Sequence, residues 1–323
     1  MTSEKFKEIQ ENDSKRREKL FYIYKKCLFR KTYSNLNVNL LKPTNPLSLK
    51  DVNLTRKEMA ALDIHPVTLS VLCGTVIGDS TLNIYKGYAN ARLTARHSTR
   101  QTEWVMWKAF CAFEKYISAT QNCLTFQKPD GKQRETIPKP GEILGKWAFR
   151  TAVDPELTKL HKIIAPNNKK KVQRFWLNHM NDYFLMTLWL DDGGLCSDRQ
   201  GTISVNSMPI DQAQCLRDYI ETVWGVKCHV VDVASKRTKT NPVSPQIYFS
   251  DLDNLEKFLR IVAPIIPVKS MLYKVCLKPK DSSRLQRWTS ELKTLIRQEW
   301  HSEIDAIYAQ PLSVLMDEQE LKD

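Results

Sequence analysis

The sequence is poor in glycine, and its cysteines and histidines lack the spacings that are typical of metal sites. Ten glycines in 323 residues form no run that could cradle a phosphate, which argues against a nucleotide-binding enzyme. The eight cysteines include no CxxC pair, so we expect no structural zinc site and favour a reducing intracellular compartment. For each of the six histidines, a buried or surface role is favoured over catalysis.

The chain also lacks features of membrane and secreted proteins. No apolar run reaches the roughly 18 to 20 residues that span a bilayer, so we predict no membrane partner. The first residues place Glu4, Glu8, Glu11 and Asp13 among lysines, unlike a secretory signal or an acid-poor transit peptide. The cytosol, the nucleus and an organelle all stay open as compartments at this point.

What the chain does have is length, apolar content and positive charge. Hydrophobic residues make up 42% of 323, which is enough for a large core and suits two modules with extensions. The formal net charge is +13. Nucleic acid is the natural partner of such a chain, although ribosomal proteins and proteins that bind membrane surfaces share this charge balance.

Two apolar stretches each end on an acid. The first, Leu69 to Ser80, reads LSVLCGTVIGDS, and the second, Phe184 to Gly194, reads FLMTLWLDDGG. Both have the pattern of apolar helices, and Asp79 and Asp192 lie 113 residues apart, as expected for a motif duplicated in tandem. If these helices pack side by side, their ends bring two acids together where a divalent cation can bind.

Small residues near the acids favour this arrangement. Gly74 and Gly78 lie four residues apart, on one helical face, and let a partner helix approach closely. Thr187 and Asp191 hold the matching positions in the second motif, so we expect an asymmetric contact. Asp192 could instead be a polar helix end before a Gly-Gly turn. Because the macrodipole makes a helix C-terminus unfavourable for an acid, we favour an offsetting cation.

The predicted elements repeat in the order helix, two strands, helix, two strands, helix. We predict a basic N-terminal extension and linker over 1–56, a first module over 57–172, a second over 173–280 and a C-terminal helical extension over 281–323. Among the predicted elements are strands Thr81–Tyr85, Ala89–His97 and Ile143–Val153, and helices Thr102–Ser118, Leu157–Ile164, Leu252–Val262 and Leu285–Tyr308.

Two segments admit two interpretations each. The basic helix predicted within residues 1–33 either contacts phosphates or is a solvated extension. The aromatic stripe of the Thr102–Ser118 helix is favoured as core over a base-stacking platform.

One predicted strand has a polar face that suits a DNA groove. Asn90, Arg92, Thr94 and Arg96 alternate with small apolar residues, and this face has no acid to repel phosphate. An ordinary half-exposed strand is the alternative. The residues predicted to bind nucleic acid are Asn90, Arg92, Thr94, Arg96, Lys146, Arg150, Lys169, Lys227, His229, Lys236, Arg237 and Lys239.

The motifs resemble those of the LAGLIDADG homing endonucleases, in the single-chain form whose second motif ends in DDGG. Leu72 to Ser80 resembles the nine-residue motif closely, and Leu185 to Gly193 resembles it more loosely. The resemblance covers Leu62 to Leu277, because both motifs and the repeated order of elements in the two modules agree with the family. The resemblance implies an α+β fold of two pseudo-symmetric αββαββα modules, with the motif helices at the interface and the sheets forming a DNA-binding saddle.

The resemblance also implies roles for particular residues. Asp79 and Asp192 match the catalytic acids that bind divalent metal, here Mg²⁺ or Mn²⁺, and Asp191 is a further metal ligand by position. The family places a lysine at the active-site rim near the end of each module. Lys274 matches this lysine in the second module, and either Lys170 or Lys171 matches it in the first.

These matches predict a site-specific double-strand DNA endonuclease that is encoded in an intron or a similar mobile element and works as a monomer. An organelle, mitochondrion or chloroplast, is then favoured over the nucleus. Two alternatives stay open, namely a maturase that assists the splicing of intron RNA and a non-catalytic RNA- or ribosome-binding protein. The extensions at both ends of the chain are unlike a minimal endonuclease and are therefore consistent with the maturase alternative.

Overall fold

A computed structural model describes residues 59, 61–98, 101–117, 123–127, 133–134, 146–205, 208–234 and 243–310. The basic helix predicted within residues 1–33 lies outside the described residues. So does the polar loop with Lys236, Arg237 and Lys239.

The first module follows the predicted element order. Pro66 at the first turn of its first helix and the ring nitrogen of His65, which accepts a hydrogen bond from the Val67 amide, fix where that helix begins. The elements are α1 (Pro66–Ile77), β1 (Ser80–Asn83), β2 (Arg92–Ser98), α2 (Thr102–Trp107, continued by a π-helical turn at Lys108–Ala112), β3 (Leu124–Gln127), β4 (Gln133–Arg134), β5 (Lys146–Arg150) and α3 (Pro155–Ile164). The antiparallel sheet has the order β1-β2-β5-β3-β4.

The second module repeats this architecture. A short helix, α4 (Arg174–Leu177), precedes it. Its elements are α5 (Asp182–Asp192), β6 (Gly193–Leu195), β7 (Gly201–Ser204), α6 (Ile210–Trp224), β8 (His229–Ala234), β9 (Val243–Phe249) and α7 (Leu252–Val262). The sheet order β6-β7-β9-β8 matches β1-β2-β5-β3 position for position, so β4 is the one addition in the first sheet. The predicted α+β fold with two αββαββα modules is confirmed.

The two motif helices, α1 and α5, pack against each other. Both are apolar on all sides and buried, as expected of helices inside a large core. A Cβ atom added at Gly74 would lie 2.8 Å from the Thr187 Cβ and 2.9 Å from the Phe184 carbonyl oxygen. The close approach predicted from Gly74 is therefore confirmed, and Thr187 is the residue that it faces.

Several strand and helix boundaries in the first module differ from their predictions. β1 spans Ser80–Asn83 instead of Thr81–Tyr85, and β5 ends at Arg150 instead of Val153. The second strand begins at Arg92 instead of Ala89, because the backbone before it is tied to α3: the Thr158 hydroxyl accepts from the Ala91 amide and donates to the Asn90 side chain. Asn90 therefore does not share the polar strand face. The helix from Thr102 widens into a π-helical turn at Lys108, and its aromatic stripe is buried in the core, as predicted.

The C-terminal extension forms two helices where one was predicted. α8 spans Ser282–Leu295 and α9 spans His301–Ala309, and the buried Ile296 takes an extended backbone between them. Both helices pack on the second module. The Trp288 indole donates to the Val275 carbonyl at 3.2 Å, and the Tyr308 hydroxyl donates to the Leu277 carbonyl at 3.1 Å. None of the helices in the described ranges combines the length and apolarity needed to cross a membrane.

Candidate active site

The two motif acids lie at the paired ends of α1 and α5. Asp79 follows Gly78, which caps the end of α1, and Asp192 is the last residue of α5. A Cβ atom added at Gly78 would lie 2.7 Å from Asp192 Oδ2 and 2.9 Å from the Asp191 Cβ. Because Gly78 has no side chain, the carboxylates of the second motif can lie against the end of the first helix. Asp79 has a side chain that is 32% exposed, and Asp192 is half-buried, so both are open to water.

A lysine binds the C-terminal carbonyls of each motif helix. Lys170 Nζ donates to the carbonyls of Ile77 at 3.1 Å and Gly78 at 2.8 Å. Lys274 Nζ donates to those of Leu190 at 2.6 Å and Gly193 at 2.8 Å. These carbonyls have no partner within the helix, so each ammonium satisfies them and offsets the negative end of the helix dipole.

The two lysines differ in their access to water. Lys274 is fully buried, unlike the rim lysine that was predicted, and it stabilises the end of α5 from inside the core. Lys170 is half-buried. Burial lowers the pKa of Lys170, while the nearby carboxylates of Asp192 and Asp79 raise it in part.

The structure also separates the two candidates for the lysine of the first module. Lys170 reaches the end of α1, whereas the Lys171 side chain is exposed and its carbonyl accepts from the Trp176 indole. Lys170 therefore corresponds to Lys274, and the prediction that included Lys171 loses its geometric support.

Asp191, the additional acid of the second motif, is buried against a cation. Lys108 Nζ lies 2.8 Å from Asp191 Oδ1 and 3.0 Å from Oδ2, and the Trp104 indole donates to Oδ1 at 2.6 Å. Both charged side chains are almost completely excluded from water. Burial raises the pKa of Asp191, but the charge of Lys108 and the hydrogen bonds from Lys108 and Trp104 counter it and leave the pKa below its ordinary value.

His97 connects this buried pair to Asp79. Its Nε2 lies 2.7 Å from Lys108 Nζ. An ammonium only donates, so Nε2 accepts and the proton of the neutral ring is on Nδ1. That nitrogen is 3.0 Å from Gln101 Oε1 and 3.6 Å from Asp79 Oδ2. Burial, with a further contribution from Lys108, lowers the pKa of His97 to about 4, so the ring is neutral at pH 7.

The sequence also matches a known protein family. The model of the LAGLIDADG DNA endonuclease family matches residues 69–255. The chain belongs to this family. No curated protein matches the sequence.

The fold is shared with the solved structure of a homing endonuclease, and further solved structures match with lower scores. The homing endonuclease I-WcaI bound to its DNA recognition sequence is similar with a TM-score of 0.52 and 17% identity, over 73% of this chain and 96% of that one. The N-terminal LAGLIDADG domain of WhiA has a TM-score of 0.36 and 10% identity, over 68% and 95%. I-GzeII in complex with its DNA target has a TM-score of 0.30 and 9% identity, over 76% and 97%.

Two different sets of side chains in this LAGLIDADG protein could be considered for a metal. Asp79, His97 and Asp191 have ligand atoms within 4.8 Å of one another. However, the Lys108 ammonium is within hydrogen-bond distance of both His97 and Asp191, so a cation there would meet a buried positive charge. The pair Asp79 and Asp192 offers oxygen atoms that are open to water, which Mg²⁺ prefers.

The buried network of His97, Lys108 and Asp191 was not predicted from the sequence, although each of the three is an ionisable residue at a position that the pattern places in the core. His97 is the next inward-facing position of β2 after Leu93 and Ala95. Lys108 interrupts an otherwise apolar aromatic run, and Asp191 occupies the position that Gly78 holds in the first motif. An ionisable residue at three core positions indicates a paired charge network.

The first sheet of this LAGLIDADG protein presents five of the twelve predicted DNA-binding residues on one face. Cross-strand pairs place Thr94 beside Arg150 and Ser98 beside Lys146, and Arg92 and Arg96 alternate with buried residues along β2. The Arg92 guanidinium lies over the ring of Tyr85, 4.5 Å from its centroid.

The remaining predicted contacts lie outside that face. Lys169 is exposed and precedes Lys170 in the chain. Lys227 is exposed just before β8, and its amide donates to Asn254. His229 is exposed on β8, directly across from Tyr248.

Proposed function

We propose that the protein is a site-specific double-strand DNA endonuclease in which Asp79 and Asp192 bind the catalytic metal. One observation carries the proposal: two water-accessible acids lie at the paired C-terminal ends of α1 and α5, where Gly78 leaves room for them. Each acid is at the negative end of a helix dipole and near a second acid. The Lys170 ammonium beside them offsets part of this negative charge, but two neighbouring carboxylates repel each other, so the pair still favours a divalent cation.

The oxygen donors fit a hard divalent cation, and we propose Mg²⁺ or Mn²⁺. When bound, such a cation supplies charge stabilisation for a phosphodiester undergoing hydrolysis. Asp79 and Asp192 would hold it, while Asp191 stays bound to Lys108 and is left out of our ligand set. Lys170, half-buried beside both acids, is the positive side chain placed to stabilise negative charge that develops on the phosphate.

DNA is the partner that the rest of the molecule suits best. The open face of the first sheet carries three arginines and a lysine. β2, the strand that was predicted to read bases, has no acid on this face. The whole chain has a formal net charge of +13. A solved relative in fold, I-WcaI, is described as bound to its DNA recognition sequence. Both acids come from one chain, so we propose that a monomer is the active species.

A cleavage selection tests the proposal. Full-length protein is incubated with a pool of duplexes that carry a randomised segment, once with Mg²⁺ and once with EDTA, and the new DNA ends are sequenced. We expect one recurring sequence, cut on both strands, only with Mg²⁺. Tight binding of structured RNA without any recurring cut in duplex DNA would overturn the endonuclease proposal in favour of an RNA-binding protein or maturase.

The origin of the gene is a separate part of the proposal. We infer a mobile-element gene, inside an intron and within an organelle genome. Genomic sequencing around the gene, with cleavage assayed on the allele that lacks the intron, checks this inference. A gene outside any intron, with no cut in the corresponding empty site, would contradict it.

A further inference from the structure

The open faces of the two sheets differ in charge. In the first sheet, β2 and β5 place four cations on this face: Arg92, Arg96, Lys146 and Arg150. In the second sheet, the side chains described on the corresponding face are neutral or imidazole. They are Thr202, Ser204, Val231, Ser244, Gln246, Tyr248 and His229. Along the strands they alternate with the core-side positions, and across the strands Tyr248 pairs with Thr202 and His229, and Gln246 with Ser204 and Val231.

Arg92 is held in place on the first face. Its guanidinium lies 4.5 Å from the centroid of the Tyr85 ring and 5.4 Å from that of the Tyr88 ring. The Tyr85 hydroxyl is in turn 3.5 Å from Thr94 Oγ1, on the same strand as Arg92. Stacking on two rings restricts the long side chain before DNA arrives, so less rotamer entropy is lost on binding. A guanidinium fork fits O6 and N7 of guanine.

The second face offers a different set of donors and acceptors. Gln246 lies at its centre, paired across the sheet with Ser204 on one side and Val231 on the other. A carboxamide matches N6 and N7 of adenine, and the methyl groups of Val231 and Thr202 suit contact with the thymine methyl group.

We propose that the two sheets read different bases, so that the target is asymmetric: the first module contacts guanines and the second contacts A·T pairs. The proposal rests on the proposed function, since it takes the open faces as the DNA-reading surface. It goes further by naming the base composition of each half of the target. The residues that determine it are Arg92, Arg96 and Arg150 in the first module and Gln246 in the second.

Affinity selection without cleavage tests the proposal. Full-length protein is bound to randomised duplexes in EDTA, and bound sequences are determined for the wild type, Arg96→Gln, Arg150→Gln and Gln246→Arg. We expect guanines enriched in one half of the selected site and adenine or thymine in the other. Each arginine variant should exchange a guanine preference for adenine in the first half, and Gln246→Arg should add a guanine in the second. Each exchange should lower affinity for the original duplex about ten- to hundredfold.

Lys169→Ala is the control, because this exposed lysine lies off the sheet. It should weaken all sequences alike and reduce the slope of log affinity against log salt by about one. Two halves of equal composition, or arginine variants that select the same bases as the wild type while folded by circular dichroism, would overturn the proposal. Absence of any enriched sequence would overturn the proposed function itself, so the two failures are distinguishable.

Discussion

Three acids at the ends of the motif helices face different surroundings at the residue scale. Asp79 and Asp192 reach water, while Asp191, one residue from Asp192, is sealed against Lys108. The motif pattern alone was sufficient to predict that Asp79 and Asp192 lie at the ends of the motif helices, because that position depends on local helix ends. The partner of Asp191 was not predictable in the same way, since Lys108 is 83 residues away and meets it only through the tertiary fold.

Lys108→Met should destabilise the protein strongly. The variant keeps the length of the side chain but leaves the Asp191 carboxylate buried without its cation, which costs about 3–5 kcal/mol of the free energy of unfolding. Urea denaturation monitored by tryptophan fluorescence measures this cost. In the double variant Lys108→Met, Asp191→Asn, most of the loss should be recovered, because the buried charge is gone and the amide can still accept from Trp104. Losses that simply add would show that the pair is not coupled.

At the element scale, the repeated αββαββα order followed from periodicity and local caps. Asp251 caps α7, and that helix spans Leu252–Val262 as predicted. The predictions were wrong where long-range contacts decide the backbone, as at the start of β2, where α3 binds Asn90, and at Ile296, which the core buries between α8 and α9. The lysine at the end of α1 was also not predictable from the sequence alone, since the match fell on either Lys170 or Lys171, whereas Lys274 was matched directly.

Removal of the two helix-end lysines should affect different properties, namely stability for Lys274 and cleavage rate for Lys170. Lys274→Met removes the ammonium that donates to the buried carbonyls of Leu190 and Gly193, which should lower the free energy of unfolding by about 1–3 kcal/mol. Lys170→Met should instead slow single-turnover cleavage of the selected duplex by about a hundredfold, because a positive charge beside the acids is lost.

Each variant serves as the control for the other, with urea denaturation and cleavage measured on both. Equal losses of stability, with no difference in cleavage rate between them, would contradict this division of roles.

At the scale of the whole molecule, the C-terminal extension is part of the second module. α8 docks on α7 through the buried carboxylate of Glu256, which accepts from Arg284 at 2.7 Å, Arg287 at 2.7 Å and Arg260 at 3.1 Å. Arg260 also pairs with Glu291 on α8. The extension packs beside the segment that carries Lys274, so it is tied to the active-site region although it follows the residues that match the family.

Glu256→Gln should weaken this docking at neutral pH and much less in acid. Burial raises the pKa of Glu256, but Arg284 and Arg287 outweigh burial and hold it below its ordinary value of 4.5. The ion pair therefore stabilises the protein fully above about pH 4.5, and this contribution is lost as the pH falls through the folded-state pKa. Because the arginines are partly exposed, we expect a loss of about 1–3 kcal/mol at pH 7.

The difference in unfolding free energy between wild type and Glu256→Gln, measured in urea from pH 7 down to pH 3, checks this expectation. Glu303→Gln is the matched control, because Glu303 pairs with Lys269 in water and should contribute little at any pH. A difference for Glu256→Gln that stays constant over the whole pH range would contradict the ion-pair account.

The most direct test of the account measures cleavage and binding separately on the two motif acids. Asp79→Asn and Asp192→Asn each remove one ligand charge and keep the side-chain shape, and the duplex is the one selected with wild-type protein. With Mg²⁺ and enzyme in excess, we expect either variant to lose cleavage of both strands by at least about a thousandfold, while the affinity for the duplex in EDTA stays within about threefold, since the phosphate contacts are untouched. Wild-type cleavage by either variant would contradict the assignment of Asp79 and Asp192 as the metal-binding acids.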